Sequence, residues 1–414
     1  MYQPSTSNRL LYTLFIAQSL FSAGQIAIFT LIAIVATQLS GTESAAGLPS
    51  STQTFTQAFA AFPIAVVMGR FGRRVGLTLG YALGAVGAVV GIIAILQGVF
   101  PLLLLSAAFL GMSRASADQS RFAAGELFPK DMRARMIGRV IFAGTIGAVA
   151  GPALVDPAGR VAASLGLPAD SGPWLIAFGL YGLASLLILL VLRPDPMRIG
   201  RAIADEEEQV EAVDSPRQPV RPLRTLLMLP TVQLAILSIL VSQTVMVVLM
   251  VLTPLHMEHH NHTRGAISMV ISAHTLGMFG LSAVTGYLID RIGRIPMLVA
   301  AGVTLILAAL LAPVAQGEFM LAVALFLLGL GWNFGYVAGS SLLADALQGA
   351  ERARVQGVND SLVAFAAGIG SLSSGPLFAA GGYGAVSAIG IVLTLVLMVM
   401  VYWLTRPRLE ARAI

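Results

Sequence analysis

Twelve long apolar windows divide this 414-residue sequence. A helix that crosses a bilayer needs about 20 mostly apolar residues. The windows fall near residues 10–37, 45–69, 75–98, 101–127, 137–158, 174–193, 228–255, 264–289, 296–316, 318–346, 356–380 and 383–404. Only 11% of the residues are charged, whereas soluble proteins carry about 25%. We therefore predict an all-α membrane protein with twelve transmembrane helices in a lipid bilayer.

The positions of the basic residues predict an orientation. With the N-terminus inside, 21 of the 25 Lys and Arg residues fall in cytoplasmic segments. The outer loops hold Arg160 and Arg264, and the fourth window holds Arg114 and Arg121. Basic loops face the cytoplasm in such proteins. Only Arg9 precedes the first window, and no small-residue cleavage site follows it, so we expect a retained helix. We predict a multi-pass protein of the cytoplasmic (inner) membrane with both termini in the cytoplasm.

A polar segment divides the windows into two sets of six. It contains the acidic run DEEEQVEAVD followed by SPRQPVRP, a composition typical of a solvated linker. The predicted domains are an N-terminal bundle over 1–193, a cytoplasmic linker over 194–225 and a C-terminal bundle over 226–414.

The two halves repeat one another. GRFGRR (69–74) follows the second window and DRIGRI (290–295) follows the eighth. RARMIG (133–138) and RARVQG (352–357) begin the fifth and eleventh helices. Twelve spans in two parallel six-helix repeats are the layout of a rocker-type secondary transporter. We predict two pseudo-symmetric six-helix bundles.

Several functional classes are excluded by residue types. There are no cysteines, so the chain has neither disulfides nor thiolate metal sites. Its single lysine, Lys130, lies in FPKDM, and no phosphate-binding loop ending in Gly-Lys-Ser/Thr is present. The basic residues are dispersed among short loops, which argues against nucleic acid as a partner. We expect no enzymatic activity and no cofactor, and we expect a monomer.

One short stretch concentrates histidine and methionine. All five histidines lie within residues 256–274: His256, His259, His260, His262 and His274. Met246 and Met250 are four residues apart in the seventh span, and His274 and Met278 are four apart in the eighth. Each pair therefore shares one face of its helix. If the connection centres near residue 260, Met246 lies level with His274, roughly 16 Å below the outer end of the eighth helix.

The donor types on these faces suggest a cargo. If the two faces meet, three thioethers and one imidazole converge, and such soft donors select Cu(I). The preceding loop adds His256, Met257, His259, His260 and His262. Short histidine-rich tracts commonly bind metal, so we predict accessory metal capture there.

The sequence resembles the major facilitator superfamily over nearly its whole length. The superfamily's loop signature, G-x-L-x-D-R-x-G-R-R, is similar to the segment from Gly286 to Arg294, which includes Asp290 and Arg291. The first half has Gly69 where that signature has its Asp. The resemblance implies the major facilitator fold, with Asp290 and Arg291 as possible coupling or gating residues.

A narrower resemblance points to copper. The CcoA-like copper importers of this superfamily carry M-x-x-x-M on helix 7 and H-x-x-x-M on helix 8, as Met246, Met250, His274 and Met278 do here. This resemblance implies copper import through a site between those two helices. The same wider group includes members that resemble riboflavin importers.

Two alternatives remain open at this stage. The chain could instead carry a small organic molecule, by riboflavin-like uptake or drug/proton antiport, with His274 handling protons. A sensor built on this fold is a third class.

In the fourth span, Arg114 and Asp118 are four residues apart. They predict an internal salt bridge, or a coupling proton site at Asp118.

Overall fold

The computed structural model describes residues 4–211, 221–315, 317–347 and 349–410. Every regular element in these ranges is a helix. The first ten long helices correspond to the first ten apolar windows. They are α1 (Pro4–Ser40), α2 (Leu48–Phe71), α3 (Arg73–Gln97), α4 (Phe100–Ala117), α5 (Lys130–Ala150), α6 (Gly172–Val191), α7 (Pro230–His259), α8 (Arg264–Phe279), α9 (Arg294–Leu311) and α10 (Glu318–Ala346).

The last helical stretch, Gly349–Glu410, is two helices joined at a kink. Its 62 residues would extend about 93 Å as one straight helix, about three times the apolar thickness of a bilayer. Gly381 and Gly382 have non-helical backbone angles, and Gly382 has φ 61°, a value that suits glycine because it lacks a Cβ. We call the two parts α11 (349–380) and α12 (383–410). The described ranges thus hold the twelve predicted apolar helices, and the linker adds a polar helix, Pro196–Glu211.

Three of these helices continue beyond a break. Ser120–Glu126 extends α4, Val155–Ser164 follows α5, and Ser282–Ile292 extends α8. The two parts of α8 are bent by 40° at the break. Breaks of this kind are tolerated at membrane depth where neighbouring side chains satisfy the freed backbone groups.

The chain forms two compact units, and one boundary differs from prediction. Residues 1–41 and 52–218 form one unit, while 42–51 and 219–414 form the other. The connection after α1 and the first turn of α2 therefore pack with the second unit, although the rest of α2 belongs to the first. The Ser371 hydroxyl donates a hydrogen bond to the Gly47 carbonyl at 3.0 Å. Gly47 allows this approach because any Cβ there would overlap the Ser371 carbonyl. The predicted linker segment 212–220 lies outside the described residues.

In the first unit, a linker carboxylate holds the start of α3. Asp195 accepts hydrogen bonds from the backbone N–H groups of Arg73 at 3.2 Å and Arg74 at 2.9 Å. These N–H groups have no partner within the helix, and a carboxylate at a helix N-terminus is favourable. The Arg73 guanidinium pairs with Glu126 at 2.6 Å. Asp195 thus supplies an acidic group next to the loop that has Gly69 in place of the signature Asp.

In the second unit, glycines let α10 approach both α7 and α8. Gly335 lies against Ser242 and Gly339 against Ser238, both on α7. On the other side, Gly329 lies against the backbone of His274, and Gly277 of α8 lies against the Phe326 carbonyl. Small residues permit this close helix packing in membranes. Helix α10 is therefore the shared neighbour of α7 and α8.

Candidate transport site

His274 is held with one ring nitrogen paired and the other unpaired. Its side chain is 2% exposed, and Nδ1 lies 2.9 Å from the Leu325 carbonyl oxygen of α10. A carbonyl oxygen only accepts, so Nδ1 donates and carries the hydrogen. In the neutral ring, Nε2 then carries the lone pair. Nε2 is buried and has no hydrogen-bond partner in the described part of the chain. This is the arrangement of a ligating histidine whose second nitrogen is fixed by a backbone carbonyl.

Helices α7 and α8 do not pack directly against each other. The sequence analysis expected the methionine face of α7 to meet the His274 face of α8, and this expectation is corrected. Helix α7 packs mainly on α10 and on 349–410, and α8 packs on α10. The physical reason is the set of glycines at 277, 329, 335 and 339, which draw both helices onto α10. Any site that uses both motifs is therefore built around α10.

Contacts with α10 also show that the predicted depth of Met246 relative to His274 is wrong by about one helical turn. Along α7, Ser238 and Ser242 lie against Gly339 and Gly335, so the two helices are antiparallel and Met246 is level with residue 331. Along α8, the Met278 backbone lies between residues 329 and 333 of α10. Met246 is thus level with Met278, and by the same register Met250 is level with His274. The sequence placed Met246 level with His274 because it centred the connection near residue 260. The helices instead end at His259 and begin at Arg264.

The four motif side chains differ in exposure. Met250 is 4% exposed and Met246 is 9% exposed. Met278 is half-buried. The other methionine of α8, Met269, is 47% exposed. The four motif residues therefore lie in two adjacent layers of the second unit, and Met269 lies on the outside of it.

An aromatic and polar group adjoins Met246. Gln243 lies three residues before Met246, and its Oε1 accepts a hydrogen bond from Trp332 Nε1 at 2.8 Å. The Trp332 ring stacks on Tyr336 with 4.8 Å between centroids and meets Phe279 edge-on at 5.7 Å. The sequence did not single out Gln243, because an isolated glutamine in an apolar window shows no periodic pattern.

Asn333 bridges the break in α8. Its Nδ2 donates to the Met278 carbonyl at 2.6 Å and to the Ser282 hydroxyl at 2.9 Å. Its Oδ1 accepts from the Thr285 hydroxyl at 2.5 Å. A carbonyl at the end of a helix lacks an intrahelical partner, and the amide supplies one for Met278. One side chain of α10 therefore connects both parts of the broken helix, directly after the HxxxM motif.

The four histidines predicted for the outer loop lie at the end of α7 (His256, His259) and just after it (His260, His262), and they divide into two kinds. His259 Nε2 lies 3.4 Å from Glu43 Oε1, and His262 Nδ1 lies 3.5 Å from Glu318 Oε1. His256 and His260 instead contact each other, with ring centroids 4.5 Å apart. Met257 is fully buried, so its thioether lies in the helix packing and not at the loop surface. The predicted capture cluster is thus not a single group.

The structure also shows which groups contact the residues predicted for coupling or gating. Asp118 accepts a hydrogen bond from Gln57 Nε2 at 2.7 Å, and no ion pair joins it to Arg114 within the described residues. The predicted internal salt bridge is therefore wrong, because the amide of α2 takes the place of the guanidinium. Asp290 and Arg291 are exposed, and Arg291 donates to the Tyr287 hydroxyl at 3.0 Å.

Over the residues that the structure describes, no three His, Asp or Glu side chains form a group that could hold a metal ion.

Comparisons with known proteins assign this chain to a family. The family model described as "Major Facilitator Superfamily" matches residues 14–262 and 234–413. An "Uncharacterized MFS-type transporter YdeG" of Bacillus subtilis (strain 168) is 39% identical over 97% of this chain and 93% of its own length. The "Riboflavin transporter RfnT" of Brucella anthropi is 29% identical over 100% of this chain and 99% of its own.

Solved structures show the same fold. A bacterial homologue of the human lysosomal transporter Spinster, inward-facing and occupied, superposes with a TM-score of 0.73 at 16% identity, over 98% of both chains. The D-xylose-proton symporter superposes with a TM-score of 0.70 at 14% identity, over 94% of this chain and 96% of its own.

Proposed function

Because the chain belongs to the Major Facilitator Superfamily and is a multi-pass membrane transporter, we propose that its cargo is copper, taken up as Cu(I). The observation that carries this proposal is His274, whose Nδ1 is fixed on Leu325 while its buried Nε2 has no partner among the residues that the structure describes. An unpaired polar atom inside a membrane protein is costly. A metal ion that binds Nε2 during transport would offset that cost.

The thioethers at the same depth support the choice of copper. Met250 shares its level with His274, and Met246 shares the next level with Met278. Thioether and imidazole donors suit Cu(I), whereas carboxylates and carbonyls suit Mg²⁺, Ca²⁺ and Mn²⁺. We propose Met246, Met250, His274 and Met278 as the transport site, with α10 as its shared wall.

A second candidate cargo is a small planar organic molecule such as a flavin. The full-length similarity to a riboflavin transporter favours it, and so does the group of Gln243, Trp332 and Tyr336 beside Met246. Stacked aromatic rings with one amide are typical of pockets that orient a planar ring system. In this alternative, Nε2 of His274 would accept a hydrogen bond from the organic cargo.

An uptake assay separates the two cargoes. Membrane vesicles that contain the protein should accumulate copper when a reductant keeps it as Cu(I), and silver should compete because Ag(I) is also a soft ion. Excess zinc should leave uptake nearly unchanged, since Zn²⁺ prefers imidazole, carboxylate and thiolate. Riboflavin should neither accumulate nor compete. Saturable riboflavin uptake without copper, or copper uptake that silver does not inhibit, would select the second candidate.

We also propose the orientation predicted from the basic loops, with the α7–α8 connection outside and the linker in the cytoplasm. Cysteine labelling is direct in this cysteine-free chain. In intact cells, an impermeant maleimide should label Asn261→Cys and should leave Arg201→Cys unlabelled until the membrane is permeabilised. Both positions are exposed, so access is set by the membrane. The reverse labelling pattern would refute this orientation.

A further inference from the structure

The loop histidines next to α7 separate by partner. His259 and His262 each face a carboxylate, from Glu43 and Glu318. His256 and His260 are one helical turn apart and face each other. In each of these two residues a carboxylate oxygen faces a ring nitrogen, where a metal ion would otherwise bind. Among the described residues, no ion pair joins a carboxylate to His256 or His260, which makes them the pair suited to bind a metal.

His260 is oriented by the helix itself. Its Nδ1 lies 2.9 Å from the His256 carbonyl oxygen, so Nδ1 donates and Nε2 keeps the lone pair in the neutral ring. The residue as a whole is exposed. A backbone carbonyl that fixes the far nitrogen is the usual support of a ligating histidine.

His256 is fixed by packing. Its ring is 8% exposed and stacks on Tyr383, with centroids 4.5 Å apart and an interplanar angle of 19°. The Tyr383 hydroxyl is itself held at 2.9 Å from the Thr253 hydroxyl. Tyr383 follows Gly382, so the kink between α11 and α12 places this ring beneath His256. One imidazole of the pair is thus rigid and the other lies at the surface.

The spacing of the two rings suits one metal ion. A metal about 2.0 Å from an imidazole nitrogen lies about 3 Å from the ring centre, so two ligands at a right angle have centres about 4.5 Å apart. The observed distance is 4.5 Å. The rings meet at an interplanar angle of 60°. Among the divalent first-row ions, Cu(II) binds nitrogen ligands most strongly.

We propose that His256 and His260 form a second metal site, distinct from the His274 layer, that binds Cu(II) through two imidazole nitrogens and is completed by water. It deepens the proposed copper transport, on which it rests, by naming where the protein holds the ion in its oxidised form, Cu(II), without converting it to Cu(I). His259 and His262 do not belong to the site.

Electron paramagnetic resonance of the purified full-length protein tests this site. The protein is kept in detergent, carries no histidine tag and receives one equivalent of Cu(II). The spectrum should show coupling to two nitrogens. His260→Gln should remove one nitrogen and weaken Cu(II) binding by about tenfold or more. Because His260 is exposed, this variant should fold normally. The matched controls His259→Gln and His262→Gln should keep the two-nitrogen spectrum and the wild-type affinity.

Three results would overturn the proposal: no Cu(II) binding by the wild-type protein, a two-nitrogen spectrum that survives in His260→Gln, or equal losses in the His259 and His262 controls. The Met246→Leu variant separates this site from the transport site. It should keep the wild-type Cu(II) spectrum even if copper uptake is lost, and also if the transported cargo proves to be organic.

Discussion

Replacing His274 by asparagine should reduce Cu(I) uptake by about 100-fold or more while leaving the protein folded in the membrane. The asparagine amide can occupy the place of Nδ1 and still donate to the Leu325 carbonyl, so the contact between α8 and α10 is retained. It has no counterpart of Nε2, so the metal loses a donor. Loss of a group that merely orients a ligand already costs about 10- to 100-fold in metal affinity. The measurement is initial uptake in vesicles, normalised to protein in the membrane.

Met269→Leu is the matched control, because Met269 lies on the same helix but is 47% exposed. It should transport copper at the wild-type rate. If His274→Asn transports as well as the wild-type protein, His274 has a structural role only. In that case the unpaired Nε2 does not mark a metal ligand.

Gly329→Leu should remove most of the folded protein, whatever the cargo is. A Cβ at this position would overlap the His274 carbonyl oxygen and lie 2.9 Å from the Met278 backbone nitrogen. These are backbone atoms, which cannot rotate away as a side chain can. Overpacking a well-packed contact costs about 1–3 kcal/mol, and here α8 and α10 would have to separate. We expect a much lower yield of monodisperse protein after detergent extraction and a lower unfolding temperature.

The control for this substitution is Gly179→Leu on α6, where an added Cβ has no described atom within 4 Å apart from the adjacent residues and backbone of its own helix. It should extract and unfold like the wild-type protein. Wild-type yield and stability for Gly329→Leu would mean that α8 and α10 are not packed as closely as the structure has them.

The sequence predicts the helices well because the bilayer imposes a length on each of them. The twelve windows needed only hydropathy and loop charge, and glycines at 381 and 382 separate the last two as expected. What the sequence could not predict is which helices touch. Met246 and His274 seemed to face one another because their helices are consecutive. The packing is decided by glycines at 329, 335 and 339, and glycine is too frequent in membrane helices for three positions to be recognised in advance.

Local partners were equally hard to predict. Arg114 and Asp118 have the spacing of an ion pair, yet Asp118 bonds to Gln57 from a helix that is distant in sequence. Asp195 caps α3 from a linker that composition alone describes as solvated. The division of the loop histidines depends on Glu43, Glu318 and Tyr383, none of which is near them in sequence. In each case the sequence identifies the chemically active group and leaves its partner undetermined.

The break after Met278 allows the two parts of α8 to rotate relative to each other. The first part, Arg264–Phe279, carries His274 and Met278, and the second part, Ser282–Ile292, carries Asp290 and Arg291. The second part is about 16 Å long, so a change of 10° at the break would displace its far end by about 3 Å. The same rotation would leave the donors of the first part almost stationary. A mutation at Asn333 would therefore loosen the break without removing a donor side chain, and its effect should appear in the rate of transport before it appears in affinity.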